Sequence, residues 1–276
     1  MKKFYPSLIL SIFLCPFVYS NELIYQEVLV TGGKGSIKNL SGSASLIDEE
    51  SIQEFDFVDA TSLLARVPGV YIRTEDGYGL RPNIGIRGVT SDRSQKLTIM
   101  EDGILITPAP YSAPAAYYVP NVNRMSAVEV FKGPSSIGYG PNTVGGALNF
   151  VTPSLEQPVL RQIDLSAGSD GFKKARLKFG EKFDRFGYGF DALHYGTDGF
   201  KRLDSGADTG FKRDDVNLRL EWDLSQSASL PHALIVKVGY AEEDADETYL
   251  GLSEEDFSSK PNLRYPASSL DNFISE

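Results

Sequence analysis

The chain is poor in cysteine, histidine, tryptophan and positive charge. Its 276 residues hold one Cys, two His and one Trp. A single cysteine excludes a disulfide scaffold and a cysteine-built zinc site. Two histidines leave little for a His-rich metal centre. Lys plus Arg number 27 against 37 for Asp plus Glu, a net charge of −10. Phosphate neutralisation needs a basic face, so no nucleic-acid partner is expected. After the first twenty residues no run is apolar enough for a membrane helix, so any membrane part must be built of strands. Enzyme motifs are lacking too. Gly133-Pro134-Ser135-Ser136-Ile137-Gly138 has no Lys-Ser/Thr of a phosphate loop. His194 and His232 sit in strand or turn context with no nucleophile motif beside them. No catalytic residue, bound metal or resident cofactor is expected. The acidic stretches Glu242–Glu247 and Glu254-Glu255-Asp256 lack a regular calcium-ligand spacing and read as solvated loop.

What the chain does have is glycine and aromatics: 26 Gly, 16 Phe and 14 Tyr. That composition points to strands and tight turns. Met1–Ser20 begins with Lys2 and Lys3, continues through apolar Leu8–Leu14 and ends in Val18-Tyr19-Ser20. This is a secretory signal peptide, too short for a membrane anchor. Leu14 is not the small residue a lipoprotein signal would place before Cys15.

Residues 21–44 read as a flexible terminus carrying one extended apolar segment, Glu27-Val28-Leu29-Val30-Thr31. Asp48 is placed to cap a helix over Glu49–Phe55, and Asp59 one over Ala60–Arg66 that Pro68-Gly69 ends. Short strands follow: Val70–Arg73, Ile84–Arg87, Leu97–Met100, Ile104–Ile106, Val128–Phe131 and Ala147–Val151. Glu101-Asp102-Gly103 joins two of them as a tight hairpin. Residues 45–153 are therefore a compact α+β unit.

From residue 154 the strands lengthen and alternate. Val216, Leu218, Leu220, Trp222 and Leu224 share one face, and Asn217, Arg219, Glu221 and Asp223 the other. Expected strands are Val159–Gly168, Phe172–Phe183, Tyr188–Gly196, Asp214–Leu224 and Ala233–Ala241, with a long connection at Thr197–Arg213. Such alternation suits a transmembrane β-barrel, apolar outward and polar inward, and equally a soluble sandwich.

The specific signal is a set of motifs in order. They are Leu63-Leu64-x-x-x-Pro68-Gly69-Val70, Ile84-Gly85-Ile86-Arg87-Gly88, Glu101-Asp102-Gly103-Ile104 and Val128-Glu129-Val130-Phe131-Lys132-Gly133-Pro134. Gly138-Tyr139-Gly140 and Gly145-Gly146-Ala147-Leu148-Asn149-Phe150-Val151-Thr152 complete the set. Together they resemble the plug domain of TonB-dependent outer-membrane receptors. Pro108-Ala109-Pro110-Tyr111 and Glu247-Thr248-Tyr249-Leu250-Gly251-Leu252 look most like ferric dicitrate-type receptors. The resemblance implies an α+β plug followed by the first antiparallel strands of a transmembrane β-barrel, 22-stranded in the complete family.

It also implies roles. Glu27, Val28, Leu29, Val30 and Thr31 match the family's TonB box, a peptide that TonB, with its inner-membrane energising complex, takes up as an added strand. Arg87, Glu101, Glu129 and Lys132 are expected to pair with the barrel wall as latches. Arg93, Tyr111, Arg202 and Arg213, with Lys201 and Lys212, are candidate contacts for an anionic ferric chelate, since Arg suits carboxylates. The implied location is the Gram-negative outer membrane, in contact with its lipid, with the N-terminus periplasmic. Receptors that signal to a regulator carry an extra N-terminal domain, which this pattern does not suggest. After Thr152 only 276 − 152 = 124 residues remain. They supply about five strands, which cannot enclose a plug. The sequence therefore reads either as a piece of a longer receptor or as a truncated, non-transporting product.

Overall fold

The computed structural model describes residues 43–56, 59–106, 118–140, 143–153, 155, 159–203, 208–225, 232–246 and 251–264. The leader, the segment Glu27–Thr31 and Tyr111 lie outside these described residues.

The first unit is built on a five-stranded sheet. Its strands are β1 (Ser43–Asp48), β4 (Leu97–Glu101), β5 (Ile104–Leu105), β6 (Ala127–Lys132) and β7 (Gly146–Val151), in the order β1-β6-β7-β4-β5. Only β4 and β7 run parallel. A hairpin of β2 (Val70–Thr74) and β3 (Pro82–Ile86) stands apart. Asp48 caps α1 (Glu49–Phe55), its carboxylate accepting from the Ser51 N–H at 3.0 Å. Asp59 caps α2 (Ala60–Leu64) in the same way, through the Ser62 N–H at 2.7 Å. Both caps satisfy N–H groups that a helix start leaves orphaned.

Strands β6 and β7 are buried at every residue. Elements cover both of their faces, so apolar residues stand on both faces rather than on one. Leu63, Leu64, Ile84, Ile86, Val128, Val130, Leu148 and Phe150 form the main core. Each such side chain contributes about 1.5–3 kcal/mol by leaving water. Gly146 is required by close approach, because a Cβ there would overlap the carbonyl oxygen of Phe131. One expectation is corrected here. Ser43 and Ala44, expected in the flexible terminus, pair with Lys132 and Phe131 as the start of β1. Sequence alternation is weak in Ser-Ala-Ser, and the pairing comes from the β6 edge.

The second unit is a five-stranded antiparallel sheet in simple sequential order. It comprises β8 (Val159–Ala167), β9 (Lys173–Lys182), β10 (Phe186–Thr197), β11 (Phe211–Asp223) and β12 (Ala233–Ala245). Phe179, Phe190, Leu218 and Val238 are partners across four strands on one face. Ile163, Leu165, Val238 and Tyr240 on that face are more than half exposed. The opposite face carries Lys174, Arg176, Arg213 and Asp215, all buried. Phe183, Phe186, Tyr188 and Trp222 gather at one end, with the Phe186 and Trp222 rings 5.3 Å apart. No helix among the described residues is long and apolar enough to cross a membrane, which leaves the strands, 9 to 13 residues long. A tilted membrane-crossing strand needs about 9–11.

Two ends differ from expectation by more than two residues. β11 begins at Phe211, not Asp214, and β12 runs to Ala245. The same alternation continues upstream, with Phe211, Arg213 and Asp215 buried and Lys212 and Asp214 exposed. Arg213 therefore stands in a strand, not in a loop. A short α3 (Glu254–Ser259) follows β12, and an isolated bridge joins Leu263 to Arg202.

Candidate functional site: the charged interface between the two units

One set of contacts between the units is built on a 3-10 turn, Val122–Arg124, capped by the Asn121 side chain. The turn points Arg124 at the sheet. Its guanidinium grips Glu101 with two hydrogen bonds, Nη1 to Oε1 at 2.8 Å and Nη2 to Oε2 at 2.6 Å. Nη2 also donates to the Tyr118 hydroxyl at 3.1 Å. Across the interface, Asp215 of β11 approaches Nε only to 3.8 Å. Burial works against the charge on Arg124, but the hydrogen bonds and charge of Glu101 outweigh it and hold the guanidinium more firmly protonated than usual. Burial likewise pushes the Tyr118 hydroxyl upward, with Arg124 partly opposing.

Three further groups complete the interface. Arg213 donates to the Val119 carbonyl at 2.7 Å and to Glu243 at 3.2 Å, and Glu243 also pairs with Arg81. Asp102 accepts from the Thr152 N–H and hydroxyl, both at 2.8 Å, and pairs with Lys237. The Thr152 oxygen in turn accepts from Arg219 at 2.9 Å and Lys237 at 2.6 Å. Lys174 pairs with Asp56 and reaches the Asn123 amide oxygen at 3.3 Å. Apolar contact adds to these. The Tyr78 ring lies 5.0 Å from Phe211, and its hydroxyl accepts from the Phe200 N–H at 3.0 Å. Asp76 shapes that loop by accepting from the N–H groups of Tyr78, Leu80 and Arg81. A cavity of about 460 Å³ lies in the same interface, its lining including Glu101, Tyr118, Arg124, Lys178, Asp215 and Lys237.

The four expected latch residues divide. Glu101 is in the network, through Arg124. The described hydrogen bonds of Glu129 and Lys132 lie within their own unit. Glu129 is fully buried and accepts from the Asn149 amide at 2.7 Å, and Lys132 donates to the Ser45 hydroxyl and the Pro68 carbonyl at 2.8 and 3.0 Å. Both belong to β6, a strand enclosed by its own unit. Burial lowers the affinity of Lys132 for its proton, helped by the charge of Arg87. Arg87 is exposed, sits at φ 54° and packs over Gly133 rather than onto the sheet.

The expected ligand residues also divide. Arg93 and Arg202 are exposed. The Arg93 N–H donates to Asn83 at 2.6 Å, and Arg202 exchanges backbone hydrogen bonds with Asn262 and Arg264. Arg213 is instead a buried interface residue, because alternation turns it inward. No described contact joins these three arginines. Sequence reasoning missed Arg124, Asp102, Thr152, Asp215 and Lys237. Only the wall residues carried a signal: the polar face read at Asn217 and Arg219, extended two steps upstream, contains Asp215 and Arg213.

Comparison with known proteins gives a consistent result. Residues 36–147 match the family described as TonB-dependent Receptor Plug Domain. The vitamin B12 transporter BtuB of Photobacterium profundum is 26% identical over 251 residues, 80% of this chain and 41% of that protein. A BtuB of Vibrio vulnificus is 31% identical over 133 residues, 48% of this chain and 21% of that protein. Among solved structures, the ferric yersiniabactin uptake receptor FyuA from Yersinia pestis aligns with a TM-score of 0.62 at 19% identity, over 77% of this chain and 33% of FyuA. The siderophore receptor PirA from Acinetobacter baumannii gives 0.55 at 20%, over 76% and 33%. The chain thus spans about two fifths or less of the length of these relatives. They are transporters and receptors, not enzymes.

Proposed function

From a chain that carries the plug domain of a TonB-dependent receptor, followed by strands that fit those receptors' barrels, we propose the amino-terminal part of an energy-coupled outer-membrane importer of a metal chelate. The observation that carries this reading is the interface. A plug rests by ion pairs on the polar face of a sheet whose other face is exposed and apolar. In this reading outer-membrane lipid covers the apolar face. Glu27–Thr31 serves as the TonB box, adding as a strand to TonB. TonB, energised by the proton gradient, then pulls. Once water enters the seam, its buried charges exchange protein partners for water, an exchange that an apolar seam does not have. The chain needs no nucleotide site for this work.

The cargo class rests on the relatives, which include vitamin B12 transporters and siderophore receptors. Within that class we favour a ferric chelate of the citrate type. Exposed Arg93 and Arg202 are free to meet an anionic chelate, whereas Arg213 is committed to the interface. Uptake of radiolabelled ferric citrate and of cyanocobalamin by cells relying on this receptor separates the two cargoes. Leu29→Pro should abolish uptake while leaving binding intact, because proline removes a backbone donor. Normal uptake by that variant would overturn the box assignment. Uptake of cobalamin but not ferric citrate would overturn the iron reading.

A further inference from the structure

Leu155 lies between β7, which ends at Val151, and β8, which begins at Val159. It is only 8% exposed. Its side chain fills a hollow on the inward face of β9 and β10 made by Gly180, Gly187 and Gly189. Gly180 and Gly189 are register partners, and Gly187 lies two residues along the same face. A Cβ at these glycines would stand 3.4, 2.9 and 3.0 Å from the Leu155 methyls. None of the three has a positive φ. Space, not conformational freedom, is what glycine supplies there. Elsewhere this inward face bears long charged side chains such as Lys174, Arg176 and Arg219.

The socket sits near the 183–185 turn. The contacts of Lys174 with Asp56, and of Arg213 with Val119, lie at the other end of the sheet. Lys174 is six residues from Gly180. Arg213 pairs with Tyr195, six residues from Gly189. Six residues of strand span roughly 20 Å. A swing about Leu155 would therefore displace those far contacts most and Thr152, three residues from Leu155, least.

We propose that Leu155 in its glycine socket is a fixed pivot, about which the plug swings to part its contacts with Lys174 and Arg213 while its tether stays docked on the wall. The proposal rests on the reading of the first unit as a movable plug. Its test needs no cargo, so it can fail while that reading stands. The Cβ of Leu155 is 3.6 Å from an ideal Cβ at Gly187, within the range for a disulfide. In the receptor purified from outer membranes, with Cys15 removed with the leader or changed to Ser, Leu155→Cys with Gly187→Cys should oxidise to a cross-link. Amide hydrogen exchange in rising urea then compares residues 119–126 with residues 159–163. The expected result is an unchanged opening midpoint at 119–126 in oxidised and reduced forms. If oxidation raises that midpoint, Leu155 moves with the plug and the pivot is refuted. A size swap provides the second arm. Gly189→Ala should speed exchange at 159–163 roughly tenfold, and adding Leu155→Ala should restore it. A single variant without effect, or a double variant that stays fast, equally refutes the fit.

Discussion

The two sheets use charge in opposite ways. In the plug, strand β6 carries Glu129 and Lys132 into a core closed on both faces, and their partners, Asn149, Ser45 and Pro68, come from the same unit. In the second sheet, Arg213, Asp215, Arg219 and Lys237 sit on a face that also takes partners from the plug: Val119, Arg124, Thr152 and Asp102. The first arrangement fixes a fold. The second is a seam between two bodies. At Arg124, bond geometry follows the division. Arg124 holds Glu101 of its own unit with two bonds at 2.8 and 2.6 Å but faces Asp215 across the seam at 3.8 Å. Among the described residues, Arg124 Nε and Asp215 Oδ2 have no hydrogen-bond partner. Arg124 is thus tied more tightly to its own unit than to the wall.

The largest expected effect breaks the tighter tie. Glu101→Ala leaves the buried Arg124 with its hydrogen bond to the Tyr118 hydroxyl and its long contact to Asp215, and no close carboxylate. Removing one partner of such a pair costs about 3–5 kcal/mol, read as a lowered urea midpoint for exchange in residues 119–126. A loss no greater than that of Asp215→Asn would erase the distinction between fold and seam. Next comes the outward face. Leu218→Arg should cost about 2–4 kcal/mol if lipid covers it, measured as the yield of heat-resistant folded protein in lipid vesicles. Asn217→Arg, one residue along but facing inward, serves as the control. Equal yields would mean that the face is not lipid-covered.

How far the sequence foretold this follows from the same contrast. The alternating strands were legible because one face is apolar and the other polar, and their expected positions lie within a few residues of β8 to β12. The plug strands were legible through their turns, such as Asp102-Gly103. β1 was not, because Ser43-Ala44-Ser45 has no pattern of its own and is held by Lys132 and Phe131. The seam was half legible. Alternation marks which wall charges face inward. No local pattern shows that Arg124, on a 3-10 turn, is the residue Asp215 meets, because that juxtaposition depends on how the two units dock. The charges of β6 are ambiguous for the same reason. A charge between strand residues looks alike whether its partner lies in the same sheet or across an interface.

Across the seam, a smaller effect is expected. Asp215→Asn keeps the shape and removes the charge that faces Arg124 without a hydrogen bond. Because Arg124 retains Glu101, the loss should be about 1–2 kcal/mol. Combining it with Glu101→Ala should cost clearly more than the sum, since Arg124 would then be buried without any carboxylate. A strictly additive double variant would show that the two carboxylates do not share Arg124.

The smallest expected effect is a pH dependence, and its sign is fixed. Tyr118 lies against Arg124 at the seam, and burial raises its hydroxyl above the ordinary value of 10.0. The folded protein therefore keeps this proton at a pH where the unfolded chain has begun to lose it. In that window the folded state binds more protons, so stability falls as pH rises above about 10. Tyr139, also raised by burial, contributes in the same direction from inside the plug. The readout is accordingly a difference between proteins. Tyr118→Phe should lessen the alkaline loss at residues 119–126, while Tyr139→Phe should lessen it in the sheet formed by β6 and β7. If Tyr118→Phe left the alkaline slope at 119–126 unchanged, its hydroxyl would be as well solvated in the seam as in the unfolded chain. The seam at Arg124 would then already be open to water at rest, which would dissolve the contrast between a closed fold and a closed but separable interface.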